Sequence, residues 1–269
     1  MKEEQDQKDF ADILKAYQFK NRHKGARQIK MTLLREYRIV MNLKKIRRLM
    51  RKYGLVCPKR CPNPYKRIAK ALKTNNVADN VLNRDFKKGY GQVILSDITY
   101  LFYGKHHDKL AYLSSTKDPT TMQVPAYKVS NNLELSFVID TIHMIKNNKA
   151  YKLSPNALFH TDQGCHYTSN DFRKTLQAEG FIQSMSRRGN CWDNAPQESF
   201  FGQMKDELHL EQCETFEDVV AEIDSYMDYY NNYRYQWKLS MMAPNEYAKY
   251  LTTGIMPECL VARPQAPRV

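Results

Sequence analysis

The chain has 269 residues, 42% of them hydrophobic and 26% charged, with a formal net charge of +13. No apolar run approaches the ~20 residues of a membrane span, and Met-Lys-Glu-Glu-Gln does not open a signal peptide, which argues against a membrane or secreted protein. Six cysteines, at 57, 61, 165, 191, 213 and 259, lack the pattern of a disulfide framework, so reduced thiols and a cytoplasmic location are expected.

The charge is concentrated. Residues 23–70 hold 16 Lys and Arg against one acid, Glu36, while the rest of the chain comes to −2. A basic block of this kind reads as a nucleic-acid footprint, because Lys and Arg release phosphate counterions on binding. Within it Ala26, Ile29, Leu33 and Leu34 recur at helical spacing. After a break at 37–41, Asn42 is the expected N-cap of a second helix bearing Leu43, Ile46, Leu49, Met50 and Tyr53 on one face. Lys44, Lys45, Arg47, Arg48, Arg51 and Lys52 cover the other face, and the pair resembles a helix-turn-helix. The DNA-contact candidates of this module are Lys44, Lys45, Arg47, Arg48 and Arg51.

From Cys57 to about Gly91, Pro58, Pro62 and Pro64 and the loss of periodicity predict a basic linker. Cys57-Pro-Lys-Arg-Cys61 has half the ligands of a zinc site, but no second pair follows at ligand spacing, so both read as free thiols. Gln92–Asp97 then reads as a short strand ending in an acid, with further strands over 109–114 and 122–129. Asn131 or Asn132 is the expected cap of a helix through Leu135, Val138, Ile139, Ile142 and Ile145. Leu158–His160 is the next strand, followed by Asp162. Thr168 opens a helix that Gly180 closes, 181–185 is another strand, and Pro196 starts a helix carrying Phe200 or Phe201, Met204 and Leu208. This order predicts an α/β protein with a mixed sheet. The expected organisation is a helical DNA-binding module over 1–56, a linker over 57–91, a catalytic core over 92–212 and a helical extension over 213–269.

Two strands thus lead into carboxylates, Asp97 and Asp162, and Glu198 sits in the first turn of a helix with 35 residues between it and Asp162. Taken singly, each reads as a turn former or a helix N-terminal acid. Carboxyl ends of strands are where α/β sites form. Three acids held together repel one another unless divalent cations sit between them, and carboxylate oxygens suit Mg²⁺ or Mn²⁺. Two such ions would serve phosphoryl transfer.

These residues resemble a known family. Asp97, Asp162 and Glu198 match the D,D(35)E signature of retroviral-type integrases and insertion-sequence transposases, in particular the second-frame (OrfB) protein of the IS-three family. The string from Gln183 to Phe201, QSMSRRGNCWDNAPQESFF, is similar to that family's loop and catalytic helix, as are His160–Gly164 and Ala243–Tyr247. The resemblance implies an RNase H-like core behind an all-α module, with Asp97, Asp162 and Glu198 as catalytic ligands of two Mg²⁺ ions (Mn²⁺ as substitute). It also implies Lys205 as the basic residue of the catalytic helix, contacting DNA together with Arg187, Arg188 and Asn190. The implied activity is DNA cleavage and strand transfer at element ends, nucleoid-associated when bound to DNA. The implied partners are element ends, target duplex, the first-frame (OrfA) protein or a frameshift fusion with it, and other copies of this chain. A non-catalytic helix-turn-helix regulator and an RNase H-like nuclease without strand transfer are the alternatives. His160 reads as a packed strand histidine. Trp192, and the cluster Tyr229, Tyr230, Tyr233, Arg234, Tyr235 and Trp237, are open between core packing and stacking on DNA.

Overall fold

The computed structural model describes residues 2–22, 24–57, 77–187 and 191–261. It divides into two compact units, Met1–Arg60 with Asp228–Val269, and Cys61–Met227. No described helix is long and apolar enough to cross a membrane.

The first unit is built on three helices: α1 (Lys2–Gln18), α2 (Ala26–Tyr37) and α3 (Leu43–Lys52). Ile13, Ala16, Ile29, Leu33, Ile46 and Leu49 are fully buried between them, one apolar stripe from each helix. A left-handed residue, Arg38 at φ 57°, ends α2. The Asn42 side chain accepts the Lys44 amide at 2.8 Å and starts α3, as expected. α1 carries no helical signal strong enough to have been expected: its apolar stripe is thin, and it is held partly by charge. Arg48 donates to both oxygens of Asp6 at 2.6 and 2.8 Å, Lys52 donates to Glu3 and Asp6, and Lys45 pairs with Asp9.

The C-terminal stretch also contributes to this unit. Tyr235 donates its hydroxyl to Glu36, Arg35 pairs with Glu246 and lies 4.6 Å over the Tyr235 ring, and Met31, Tyr235 and Ala243 form a small core. The sequence predicts a helical extension over 213–269. Its residues from 228 onward, including α8 (Pro244–Thr253), cluster with the helical module.

The second unit is a five-stranded mixed sheet in the order β3-β2-β1-β4-β5. Its strands are β1 (Val93–Tyr103), β2 (Lys109–Lys117), β3 (Ala126–Ser130), β4 (Leu158–Thr161) and β5 (Ile182–Met185). β1 to β3 are antiparallel, and β4 and β5 join parallel. The helices are α4 (Leu135–Asn147), α5 (Asn170–Ala178), α6 (Ala195–Glu207) and α7 (Phe216–Asn232), the last reaching past the unit boundary. Ile94 and Phe159 look into a core with Phe137, Val138, Ile142, Phe172 and Leu176 of α4 and α5. Val93, Leu95 and Leu158, on the opposite face, are covered by Leu82 and Phe86. This is the RNase H-like arrangement.

Several sequence expectations shift. β1 does not end at Asp97 but runs on to Tyr103, because β2 pairs with it all the way from Leu95 to Tyr103. β3 begins only at Ala126, since the Asp118 carboxylate gathers the amides of Gly91, Thr120 and Thr121 into a turn. α4 is capped at Glu134 rather than Asn131 or Asn132, and α5 at Ser169, whose hydroxyl accepts the Phe172 amide at 3.2 Å, rather than at Thr168. Residues 77–91 belong to no open linker. Leu82 is 1% exposed, and its amide donates to Ser184 at 3.1 Å.

Candidate active site

The parallel register of β1 with β4 pairs Leu95 with His160. Two residues further along each strand come Asp97 and Asp162, so the two acids leave adjacent strands at one level and on one face. Asp97 faces Ser115 of β2. On that same face lies the first turn of α6: Gln197, fully buried, donates its side-chain amide to Ser115 Oγ at 2.7 Å. Glu198 follows directly. Pro196, in the first turn of α6, pre-sets the helical φ and lacks an N–H that would be unpaired there.

Local hydrogen bonds aim two of the carboxylates. Asp97 accepts the amide of Ile98 at 2.8 Å, and Asp162 accepts that of Gly164, also at 2.8 Å. Gly164 leaves room for this: a Cβ there would stand 2.9 Å from the same Asp162 oxygen. Burial pushes the Asp97 carboxyl well above the usual carboxylate range, and the charges of Asp162 and Glu198 push it further. Asp162, itself at the open side of the site, is also raised by desolvation. Lys205 lies on the same side of α6 as Glu198, seven residues on. Desolvation lowers its ammonium to about 8, against the attraction of Asp97. Among the described residues no three His, Cys, Asp or Glu side chains close around a common point as they stand. What is assembled is an Asp97–Asp162 pair, with the charges of Glu198 and Lys205 also acting on Asp97.

Other sequence candidates fall elsewhere. His160 is fully buried, with Nδ1 2.9 Å from Ser184 Oγ and Nε2 3.0 Å from Ser186 Oγ. The Ser184 hydroxyl also accepts the Leu82 amide, and either neutral tautomer of the ring can be satisfied between the two hydroxyls, one nitrogen donating and the other accepting. Desolvation lowers its pKa to about 4. Arg187 does not hang free in a loop but grips the buried carboxylate of Asp193. Arg188 and Asn190 lie outside the described residues. Trp192 is 69% exposed and so anchors no core, whereas Tyr229, Tyr230 and Tyr235 are buried and Trp237 is exposed. On α3, Lys44, Arg47 and Arg51 are exposed, and Lys45 and Arg48 are engaged by the acids of α1. Sequence reasoning missed Arg84, Asp193 and Gln197. Asp193 and Gln197 sit inside the very string that carries the family resemblance, but nothing in it signals burial.

An HTH-like domain model matches residues 4–62, and two integrase core domain models match residues 88–191 and 179–244. An uncharacterized transposase-like protein of Haemophilus influenzae is 32% identical over 219 residues, 81% of this chain and 97% of that protein. The putative transposase InsK for insertion sequence element IS150 of Escherichia coli is 31% identical, over 83% of this chain and 76% of that protein. Among solved structures, that of the simian T-cell lymphotropic virus intasome in complex with PP2A regulatory subunit B56 gamma is similar in fold. Its TM-score is 0.51 at 14% identity, over 85% of this chain and 73% of that one. The chain belongs to the insertion-sequence transposases related to IS150 and IS3, polynucleotidyl transferases in which an HTH-like module accompanies an integrase core.

Proposed function

We propose that Asp97, Asp162 and Glu198 form the DDE centre of this transposase and carry DNA cleavage and strand transfer at the ends of its element. The observation that supports this most directly is the register of β1 with β4, which brings the first two acids level on one face, with the Gln197–Ser115 bond holding the first turn of α6 over the same strands. The donor set fits hard divalent cations: carboxylate oxygens of like charge, with burial raising Asp97 most, a combination that costs free energy until a cation neutralises it. Two Mg²⁺ ions, when bound, would activate the attacking oxygen and stabilise the leaving one.

The chain's own residues supply the rest. Asp97 and Asp162 present oxygens oriented by the Ile98 and Gly164 amides, and Glu198 adds a third carboxylate from the helix. Lys205 offers positive charge to a DNA phosphate along the same side of α6. Water and then a 3′-hydroxyl are the nucleophiles, so no serine, cysteine or tyrosine forms a covalent link to DNA. Lys44, Arg47 and Arg51 meet duplex phosphates, and such contacts position a protein without reading sequence. The choice of element ends then falls to the first-frame protein, with further copies of this chain completing the assembly on DNA.

The test is a strand-joining assay with labelled element ends and Mg²⁺. Joined product is expected from the chain, alone or fused to the first-frame protein. Asp97→Asn, Asp162→Asn and Glu198→Gln should each abolish cleavage and joining in a folded protein. Activity kept by any of the three removes that residue from the centre.

A further inference from the structure

Asp193, two residues before α6, is fully buried. A lone carboxylate in that position would cost several kcal/mol. Here a set of donors offsets the cost. Arg187 gives its backbone amide and Nε to one oxygen, each at 3.0 Å, and Nη2 to the other at 2.9 Å. Asn80 adds its side-chain amide at 3.0 Å and Arg84 its Nε at 2.7 Å. Arg84 Nε and Arg187 Nη2 meet on the same carboxylate oxygen. Those bonds hold the Asp193 carboxyl far below the usual carboxylate range, Arg187 contributing most.

Two guanidiniums share one anion, so the cluster keeps a surplus positive charge. It is not sealed in: the Arg84 and Arg187 side chains are 44% and 53% exposed. Nor do the bonds to Asp193 use up the forks. Among the described residues, both terminal amino groups of Arg84 and Nη1 of Arg187 meet no acceptor. Two half-exposed guanidiniums fixed side by side match the oxygens of a phosphate, and their fixed rotamers reduce the entropy lost on binding. The location is beside the proposed centre: Asp193 lies five residues before Glu198 and acts electrostatically on His160, which precedes Asp162 by two.

We propose that Arg84 and Arg187, oriented by Asp193, form a binding site for one backbone phosphate of the DNA strand that enters the site beside α6. The location rests on Glu198 being the third acid, but the binding itself does not need catalysis. Asp193 is here a positioning residue that acts through the two arginines.

The experiment measures affinity of the full chain carrying Asp97→Asn for a labelled duplex across a salt series, with melting temperature as the fold control. Arg84→Ala and Arg187→Ala should each weaken binding, and the double variant should flatten the log–log salt slope by about 0.9, the loss of one neutralised phosphate. Arg84→Lys and Arg187→Lys, which keep the charge and lose the fork, should weaken binding about threefold or more with the slope nearly kept. Asp193→Asn should also weaken binding, although it removes a negative charge that would otherwise repel DNA. Tighter binding by Asp193→Asn, or full affinity in folded Arg84→Lys and Arg187→Lys, overturns the proposal. If Asp193→Asn does not fold, the lysine variants decide. Failure of the DDE reading is seen separately, as strand joining that survives Asp97→Asn.

Discussion

Gln197 donates to the hydroxyl of Ser115 at 2.7 Å, and Ser115 is the residue directly across the sheet from Asp97. One side-chain bond thus ties the first turn of α6 to the strand pair that carries the first acid. Gln197 does no chemistry in this arrangement. It sets where its neighbour Glu198 stands.

Gln197→Ala should therefore lower strand joining by about a hundredfold, the scale of loss that a 1 Å misplacement brings. Affinity for duplex DNA should stay within about twofold of the parent, because no phosphate-binding group is removed. Single-turnover joining and equilibrium binding, measured on the same preparation, separate the two. Joining at the parental rate would mean that α6 is held in place by its apolar packing alone.

Asp97 carries a stability cost. Its folded pKa is raised, so the folded chain keeps that proton to higher pH than the unfolded chain does. Stability contributed by this group is present at low pH and falls as pH rises through the interval between the two values. Once pH exceeds the unfolded value the group works against folding, and Asp97→Asn should melt at or above the parental temperature while joining is lost. A melting temperature several degrees lower would show that the carboxylate is a structural necessity.

His160 works in the opposite sense. Burial lowers its pKa to about 4, against an ordinary value of about 6.5. Between those values the unfolded chain binds a proton that the folded chain does not, so stability is lost as pH falls from 6.5 to 4, by about 3 kcal/mol at the acid end. Denaturant melts at a series of pH values should fall more steeply for the parent than for His160→Asn, which cannot titrate. Parallel profiles would mean that the imidazole is protonated between the two serines.

The basic helix α3 divides by partner. Replacing Lys44, Arg47 and Arg51 with Ala should flatten the salt dependence of DNA binding by about 0.9 in log–log slope for each phosphate no longer neutralised. Arg48→Ala should instead lower the melting temperature, because it removes two hydrogen bonds from the buried carboxylate of Asp6 and leaves only that of Lys52. Its effect on the salt slope should be smaller than that of any of the three. Equal slopes for all four variants would place the α1-facing side of α3 on DNA as well.

Much of this protein was legible in one dimension. Apolar spacing marked α2, α3, α4 and α6. The Asn42 cap, the Pro196 helix start and the Gly180 stop are local chemistry, decided within a few residues. The three acids stood out by residue type and by the 35-residue spacing, and the basic block by simple charge counting. What the sequence could not decide was long-range pairing. Whether Arg48 meets solvent or Asp6, 42 residues away, depends on α1 folding back across α3. Whether Arg187 reaches into a loop or grips a buried Asp193 depends on residues 77–86 being laid over the sheet. Tyr235 became core where α2 offered Glu36 and Arg35 as partners, whereas Trp237, two residues on, stayed exposed. Charge and polarity are properties of a residue, but the partner that neutralises a charge, and the burial that makes neutralisation necessary, exist only once distant segments are packed together.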